Sequence, residues 1–384
     1  SVQRENASKF HRYNLVQEGV SLQFILPKRY ANPQYISCGS QGIVIKAYDN
    51  LTKRGVAIKK MRSIFHNSSW SRRVYREFVL LSSVDHPNII KLLSAFTPQE
   101  TEEEFEDLYL VMELADFSLF QAIPKLKLDH KTFSFLLYQC LCAVKYLHDM
   151  NIIHRDLKPS NIVLNNNCAL KILDFGLARM NVENQGDRMT EGVITRFYRA
   201  PEVILYGGYS EKVDMWSIGC IFVEMINQEV LFMGKSNEDQ WTKIVKKMGN
   251  PTEDFLARLS PTNANILRAE PRYRAIPIKK LIQKRPFLKQ TEIVESGMTA
   301  DNARNLLSKM LKIDPNERIS VVDALNDDYV KNWHTPEEVN APPLEHHYDR
   351  AADQHDYYLL SEWKSLIFAA VKQYESTHDI FGPQ

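Results

Sequence analysis

The sequence has 384 residues, 44% of them hydrophobic and 25% charged, and its formal net charge is +1 at pH 7. A chain of this length is too long to fold around a single ordinary hydrophobic core. We therefore expect a globular protein of two packed lobes. The near-neutral charge argues against a general nucleic-acid-binding protein, and no apolar stretch approaches the roughly 20 residues that a membrane span requires.

The first part of the chain is predicted to form a small strand-rich lobe. Runs of apolar and β-branched residues between turn residues predict hairpin strands at 22–26, 42–48 and 55–59. A helix is predicted over about residues 71–84, where apolar side chains recur at helical spacing. A further strand, 108–112, ends at the predicted hinge, residues 113–116.

The second part, from Thr132 onward, is predicted to be helical, with loops that interrupt the helices and hold polar motifs. The proline pair Pro342-Pro343 marks a tail that leaves this lobe. A final amphipathic helix follows, with apolar residues on one side from Leu360 to Tyr374. We expect this helix to dock on the body of the protein rather than on a separate partner.

The run from Ile153 to Asn161, followed by Asp174, carries residue types that phosphoryl transfer can use. Asp156 could accept the proton of an attacking hydroxyl group, and Lys158 could neutralise charge on the transferring phosphoryl group. Asn161 and Asp174 offer the hard oxygen ligands that Mg²⁺ prefers. The residue types and their order in this region are therefore compatible with phosphoryl transfer.

A glycine-containing turn ahead of the second predicted strand could bind phosphate through backbone N–H groups. It comprises Ile36, Ser37, Cys38, Gly39, Ser40, Gln41, Gly42, Ile43 and Val44. Strand alternation places Ala57 and Lys59 on one face, so Ala57 could cover an adenine ring while Lys59 reaches the α- and β-phosphates. Glu77, on the predicted helix, supplies a carboxylate that could hold Lys59 in place.

These motifs, in this order and spacing, resemble those of the eukaryotic protein kinases over about residues 24–335. Within that family the chain is most similar to the MAP kinases, and among them to the c-Jun N-terminal kinase branch. Six segments carry this closer resemblance: Gln41–Val44, Leu128–His130, Asp156–Val163, Thr195–Leu205, Asp239–Trp241, and Leu306–Leu311 ahead of Ile313–Pro315.

The resemblance implies an α+β, bilobal protein kinase fold with a β-rich N-lobe and a larger helical C-lobe. The implied organisation is an N-terminal extension (1–23), an N-lobe (24–112), a C-lobe (113–335) with a MAP kinase insert at about 233–291, and a C-terminal extension (336–384). The cofactors that it implies are ATP and Mg²⁺.

The resemblance also implies individual roles. Met112 would lie at the back of the adenine pocket. The backbone of Glu113 and Ala115 would contact the adenine base. Three apolar residues would sandwich the ring, namely Val44, Val163 and Leu173. Thr195 would hydrogen-bond near Asp156, while Glu202 would pair with Arg318 and Asp214 would brace the catalytic loop. Residues 193–199 would form the pocket that prefers proline after the phosphoacceptor.

The partners implied are protein substrates with Ser/Thr-Pro sites, an upstream MAP kinase kinase, docking-motif peptides and scaffold proteins. Nucleic acid and membranes are not expected as partners, and a monomer is expected. The resemblance places the protein in the cytoplasm and nucleus. The five cysteines lack metal-ligand spacing, as expected for reduced thiols of an intracellular protein.

Three departures from the family pattern stand out. Ser37 replaces the first loop glycine, and the acidic docking patch retains Glu337 and Glu338 but few other acids. The MAP kinase threonine-x-tyrosine switch reads Thr190-Glu191-Gly192, so no tyrosine is present. Because Arg76, Arg155 and Arg179 match the arginines that bind phosphothreonine in the family, we expect activation through Thr190 alone.

The leading hypothesis is an active, proline-directed serine/threonine kinase of stress-type signalling. The main alternative is a weakly active or inactive pseudokinase that acts as a scaffold, which Ser37 and Gly192 would allow. Against it, the chain retains all five residues that the chemistry requires: Lys59, Glu77, Asp156, Asn161 and Asp174. A MAP kinase of another branch is a further alternative, since Glu191 follows Thr190.

Overall fold

The computed structural model describes residues 9–38, 42–61, 63–173, 196–205, 210–283, 285–341 and 358–382, together with the backbone of residues 179–180. The chain divides into two compact units. The described residues of unit 1 are drawn from 1–85, 90–115 and 344–384, and those of unit 2 from 86–89 and 116–343.

The strands of the described chain are β1 (Phe10–Gln17), β2 (Val20–Pro27), β3 (Tyr30–Cys38), β4 (Gly42–Asp49), β5 (Arg54–Met61), β6 (Leu92–Phe96), β7 (Tyr109–Glu113), β8 (Phe117–Ser118), β9 (Ile152–Ile153), β10 (Ile162–Leu164), β11 (Leu170–Ile172) and β12 (Arg179–Met180). Strands β1 to β7 lie in unit 1, and the others lie in unit 2.

The helices of the described chain are α1 (Ser68–Ser83), α2 (Leu119–Ala122), α3 (His130–Asp149), α4 (Pro201–Ile204), α5 (Lys212–Asn227), α6 (Asn237–Met248), α7 (Glu253–Leu256), α8 (Pro261–Arg268), α9 (Ile278–Leu281), α10 (Pro286–Gln290), α11 (Ala300–Met310), α12 (Val321–Leu325), α13 (Pro336–Val339) and α14 (Leu360–Thr377). Short 3₁₀ turns lie at Pro159–Asn161, Arg196–Tyr198, Val294–Ser296 and Lys331–Trp333. Within the described residues, no helix combines the length and the apolar character needed to cross a bilayer.

Unit 1 is built on an antiparallel sheet with the strand order β3-β4-β5-β7-β6. Alternate residues of β4, β5 and β7 point into one apolar core, which includes Ile45, Ile58 and Val111. The separate β1–β2 hairpin also packs on this core through Phe10 and other partly buried residues, so it spans the extension boundary predicted at residue 23.

The C-terminal helix α14 packs on α1 within unit 1. The ring of Trp363 lies 5.9 Å from that of Tyr75, and the ring of Tyr374 lies 5.7 Å from that of Phe78. Asn67 caps the start of α1 by accepting a hydrogen bond from the Trp70 N–H at 2.8 Å. Helix α1 is therefore held at its first turn and along its apolar face.

Unit 2 is mainly helical, with α3 and α5 buried along almost their whole lengths. Two small sheets, β8-β10-β11 and β9-β12, flank the loops that follow α3. A strand-rich unit thus precedes a helical one, and the α+β protein kinase fold class is confirmed. The predicted strands and helices that fall in the described residues are present, with ends that differ by a few residues.

Candidate active site

In unit 1, the sheet presents a partly exposed face opposite its core. Strand pairing places Val44 beside Lys59, and Ala57 beside Met112. Val44, Ala57 and Met112 are half-buried, whereas their neighbours along the strands lie in the core. This face therefore offers apolar atoms that could contact a flat aromatic ring, as the sequence predicts for adenine.

Lys59 and Glu77 form a buried ion pair on this unit. The Lys59 Nζ lies 2.7 Å from Glu77 Oε1, and both side chains are almost wholly removed from solvent. Because α1 carries Glu77 and is itself held by α14 and the Asn67 cap, the carboxylate can fix where the ammonium group lies. A cation positioned in this way suits the phosphates of a nucleotide.

The turn between β3 and β4 is described only at its two ends. Ile36, Ser37 and Cys38 are exposed on β3, and Gly42 opens β4. A Cβ atom on Gly42 would lie 2.5 Å from the Lys60 carbonyl oxygen, so this position requires glycine. The predicted residues Gly39, Ser40 and Gln41 lie outside the described residues.

In unit 2, Asp156, Lys158 and Asn161 converge in one loop. The Lys158 Nζ lies 3.4 Å from Asp156 Oδ2. The Asn161 side-chain nitrogen donates to the Asp156 carbonyl oxygen at 2.8 Å and lies 3.2 Å from Asp156 Oδ2. A carboxylate with a neighbouring ammonium group is an arrangement that can accept a proton beside a transferring phosphoryl group.

The side-chain oxygen of Asn161 is suited to be a Mg²⁺ ligand. Its carboxamide nitrogen is used within the loop, and its Oδ1 accepts no hydrogen bond from the described part of the chain. An amide oxygen is a hard ligand of the kind that Mg²⁺ takes. Its predicted co-ligand Asp174 lies outside the described residues.

Asp214 on α5 holds the backbone of the loop that contains Asp156, as the resemblance implies. Its carboxylate accepts the backbone N–H of His154 at 3.0 Å and that of Arg155 at 2.9 Å. It also lies 2.8 Å from His148 Nε2. Burial alone would raise the pKa of Asp214, but the hydrogen bond from His148, electrostatic interactions with His148 and His154, and the Arg155 N–H together outweigh burial, so the pKa is lowered.

His154 links the loop to the predicted adenine-side residue Leu173. Its Nδ1 accepts the Asp156 N–H at 3.2 Å, so Nε2 carries the proton and donates to the Leu173 carbonyl oxygen at 3.1 Å. The Leu173 N–H in turn donates to the Asn161 carbonyl oxygen at 2.9 Å. Both backbone groups of Leu173 are therefore hydrogen-bonded. Val163, another of the three apolar residues predicted to contact the ring, is buried on β10.

The regulatory residues are described only in part. Arg76 is buried on α1 in unit 1, and Arg155 lies in the catalytic loop of unit 2 with a positive φ of 73°. Thr190 and Thr195 lie outside the described residues, as does the side chain of Arg179. Elsewhere in unit 2, the expected pairing of Glu202 with Arg318 is confirmed, with contacts of 2.7 and 2.9 Å.

Sequence reasoning missed one residue of this centre, His148. It lies in the last turn of α3 and binds the same Asp214 carboxylate that holds the loop. No spacing rule connects it to Asp214, because the contact joins residues 66 positions apart. The only local signal was a histidine at the polar end of a long apolar helix.

Comparisons with known proteins agree with this geometry. The protein kinase domain model matches residues 30–330. The chain is 50% identical to GLH-binding kinase 1 of Caenorhabditis elegans, covering 98% of this chain and 97% of that protein. It is 49% identical to the stress-activated protein kinase JNK of Drosophila melanogaster (95% and 96% covered) and 48% identical to the stress-activated protein kinase jnk-1 of C. elegans (94% and 76% covered).

The chain therefore belongs to the protein kinase family. Within it, the chain is a serine/threonine kinase of the MAP kinase type, in the JNK-like, stress-activated branch. Kinases of this family use ATP, typically with Mg²⁺, to modify protein substrates, and they are themselves regulated by upstream kinases.

Proposed function

We propose that this kinase transfers the γ-phosphoryl group of ATP to serine or threonine side chains that precede proline. The Asp156–Lys158–Asn161 arrangement carries this proposal. In it, Asp156 accepts the proton of the substrate hydroxyl, and Lys158 stabilises negative charge near the acceptor. Asn161 holds the loop through its nitrogen and keeps an oxygen for a metal ion.

Each unit contains residues that would bind a cofactor in this proposal. Lys59, held by Glu77, would bind the phosphates of ATP, and Asn161 with Asp174 would hold Mg²⁺. When bound, Mg²⁺ would neutralise charge on the phosphate oxygens. The half-buried face formed by Val44, Ala57 and Met112 would exclude water from one side of the adenine ring.

Transfer of radiolabelled phosphate from ATP to a peptide library tests the proposal, with serine or threonine followed by proline or by alanine. We expect kcat/KM to be at least about tenfold higher for the proline peptides, a difference of about 1.4 kcal/mol in transition-state binding. Equal rates would refute proline direction. Absence of transfer to every peptide, with ATP still bound, would favour the scaffold alternative.

Activation through Thr190 alone is the regulatory part of the proposal. A phosphate there carries about −1.5 to −2 charge at pH 7 and would find cationic partners in Arg76, Arg155 and Arg179. Thr190→Ala is expected to lower the activity of the upstream-activated enzyme at least about tenfold, because each charge-assisted hydrogen bond contributes roughly 1.5 kcal/mol or more. Phosphate analysis of active enzyme measures occupancy, and full activity in the variant would end this proposal.

The proposed partners include docking-motif peptides and scaffold proteins that bind a monomeric kinase in the cytoplasm and nucleus. The two acids of the predicted docking patch differ in availability. Glu337 is exposed, whereas Glu338 Oε2 accepts a hydrogen bond from the Tyr138 hydroxyl at 2.8 Å. We infer that Glu337 provides more of the attraction for basic docking peptides than Glu338 does.

A further inference from the structure

One surface segment of unit 2, residues 271–280, contains four cationic residues and no acidic residue. We call it the basic segment. Its cations, all exposed, are Arg272, Arg274, Lys279 and Lys280. Lys279 lies 3.7 Å from the Asp301 carboxylate, but both groups are exposed, so this pair contributes little. Within the described residues, the other three cations form no ion pair.

The first part of the basic segment belongs to no helix or strand, yet its backbone is fixed to the end of α6. The Asn250 side chain donates to the Pro271 carbonyl oxygen at 3.0 Å and accepts the Tyr273 N–H at 2.6 Å. The Ile276 N–H donates to the Lys247 carbonyl oxygen at 2.8 Å. The two arginines are therefore presented by a backbone that is already ordered.

Two further contacts bring the end of α6 close to the basic segment. Gly249 has a positive φ of 82°, and a Cβ atom there would lie 3.2 Å from the Ala275 backbone nitrogen, so glycine permits a close approach. The exposed Lys246 has its Nζ 5.9 Å from the centroid of the Tyr273 ring. Helix α6 thus adds a fifth cation beside the segment.

The spacing of the two arginines suits a peptide ligand. The Cα atoms of Arg272 and Arg274 are at most about 7 Å apart, which is also the reach between alternate residues of an extended peptide. A guanidinium group can bind a carboxylate through two parallel hydrogen bonds. The exposed apolar side chains of Ala275, Ile276 and Pro277 follow directly. This surface therefore complements a chain in which acidic residues alternate with apolar ones.

Other anionic ligands fit this surface less well. An anionic membrane holds a protein stably only when basic residues act together with an acyl chain or an inserted apolar face, and the apolar side chains here are few and small. Nucleic-acid-binding domains normally have a large basic excess, whereas the formal net charge of this chain is +1. Charge complementarity and geometry together favour a peptide.

We propose that the basic segment, together with Lys246, binds an acidic peptide segment of a partner protein. This surface is opposite in charge to the acidic docking patch at Glu337, so the basic docking peptides proposed for that patch would be repelled here. The inference goes beyond the proposed function and does not rest on it, because binding at this surface requires neither ATP nor phosphoryl transfer.

Fluorescence anisotropy with the whole chain and a labelled peptide of three Glu-Leu-Glu-Gly repeats tests the inference. The matched control peptide has glutamine in place of each glutamate. We expect the acidic peptide to bind at least about tenfold more tightly than the glutamine peptide, and more weakly as salt is added. The double variant Arg272→Gln/Arg274→Gln should bind the acidic peptide about tenfold more weakly than the wild type does.

Two further variants separate the local surface from overall charge. Asn250→Ala keeps every cation but removes the two hydrogen bonds that fix the segment, so it should weaken binding about threefold because the peptide must then order it. Lys131→Gln/Lys331→Gln removes the same charge from exposed sites elsewhere in unit 2 and should leave the affinity within about twofold. An equal loss in this control would mean attraction by net charge alone and would refute the assigned surface.

Two other anionic probes test the class of partner. Vesicles of phosphatidylcholine and phosphatidylserine in equal parts represent a membrane, and single-stranded oligothymidylate represents nucleic acid. We expect both to bind more weakly than the acidic peptide. Tighter binding of either probe, lost in Arg272→Gln/Arg274→Gln, would assign the surface to that class and overturn the proposal. Equal affinity for the two peptides, or wild-type affinity in the arginine variant, would also overturn it, whereas the proposed kinase activity would be unaffected.

Discussion

Replacement of Asp156 by asparagine is expected to lower kcat for phosphoryl transfer by about 10²–10⁴-fold, the usual contribution of a positioned general base. Asparagine has the same shape but cannot accept the substrate proton. The loop should keep its conformation, because the shorter bond from Asn161, of 2.8 Å, goes to the main-chain oxygen of residue 156, and the side-chain oxygen of an asparagine can accept the second bond, which Asp156 Oδ2 accepts at 3.2 Å. Nucleotide affinity should therefore stay close to that of the wild-type enzyme.

Single-turnover transfer and ATP-binding titration measure the two properties separately. Asp301→Asn is a suitable control, because Asp301 lies at an exposed site on α11, 3.7 Å from Lys279. It should leave both properties unchanged. Wild-type turnover by Asp156→Asn would show that another group takes the proton, and the proposed role of the loop would then be wrong.

The parts of the centre that the sequence predicted are those governed by local patterns. Strand alternation placed Ala57 and Lys59 on one face, and helical spacing placed Glu77 on α1. These two elements are neighbours in the chain, and the ion pair joins residues 18 positions apart. The run around Asp156 likewise forms a single loop, so its contacts follow from short-range order.

The parts that the sequence did not predict depend on pairing between distant segments. The hydrogen bond from Gln240 to the Phe197 carbonyl oxygen spans 43 positions, and glutamine is mostly exposed in folded proteins, so no local pattern predicts its burial there. The β1–β2 hairpin was also missed in part, because residues 10–17 alternate between half-buried and exposed positions without a strong apolar run. The packing of such a strand on the core is decided by tertiary contacts, which no local period encodes.

The C-terminal segment is a further case in which the sequence predicted a local element but not its contact with a distant segment. Its amphipathic pattern predicted a helix that docks on the body, but not which part of the body it contacts. In the structure, Glu375 accepts the Thr97 N–H at 3.1 Å, and α14 packs on the helix that carries Glu77. The apolar side of α14 indicated that this helix must pack against another element. The aromatic residues of α1 that contact it determine that this element is α1.

Among the substitutions proposed for this protein, loss of the Arg318 guanidinium group is expected to lower the free energy of unfolding most. Its side chain is wholly buried, forms two bonds with the Glu202 carboxylate and donates to three backbone carbonyl groups. Arg318→Met would leave the Glu202 carboxylate buried without its cation. We expect the free energy of unfolding to fall by about 3–5 kcal/mol, the usual cost of breaking a buried ion pair from one side.

A double-mutant cycle in urea unfolding distinguishes this cost from the net value of the pair. Glu202→Gln with Arg318→Met removes the stranded charge, so the double variant should recover part of the loss of Arg318→Met. Lys331→Met is the control, because the Lys331–Asp328 pair is exposed and should contribute nothing measurable. Equal losses in the single and double variants would show that the three backbone carbonyl contacts of Arg318, rather than the carboxylate, hold this part of unit 2 together.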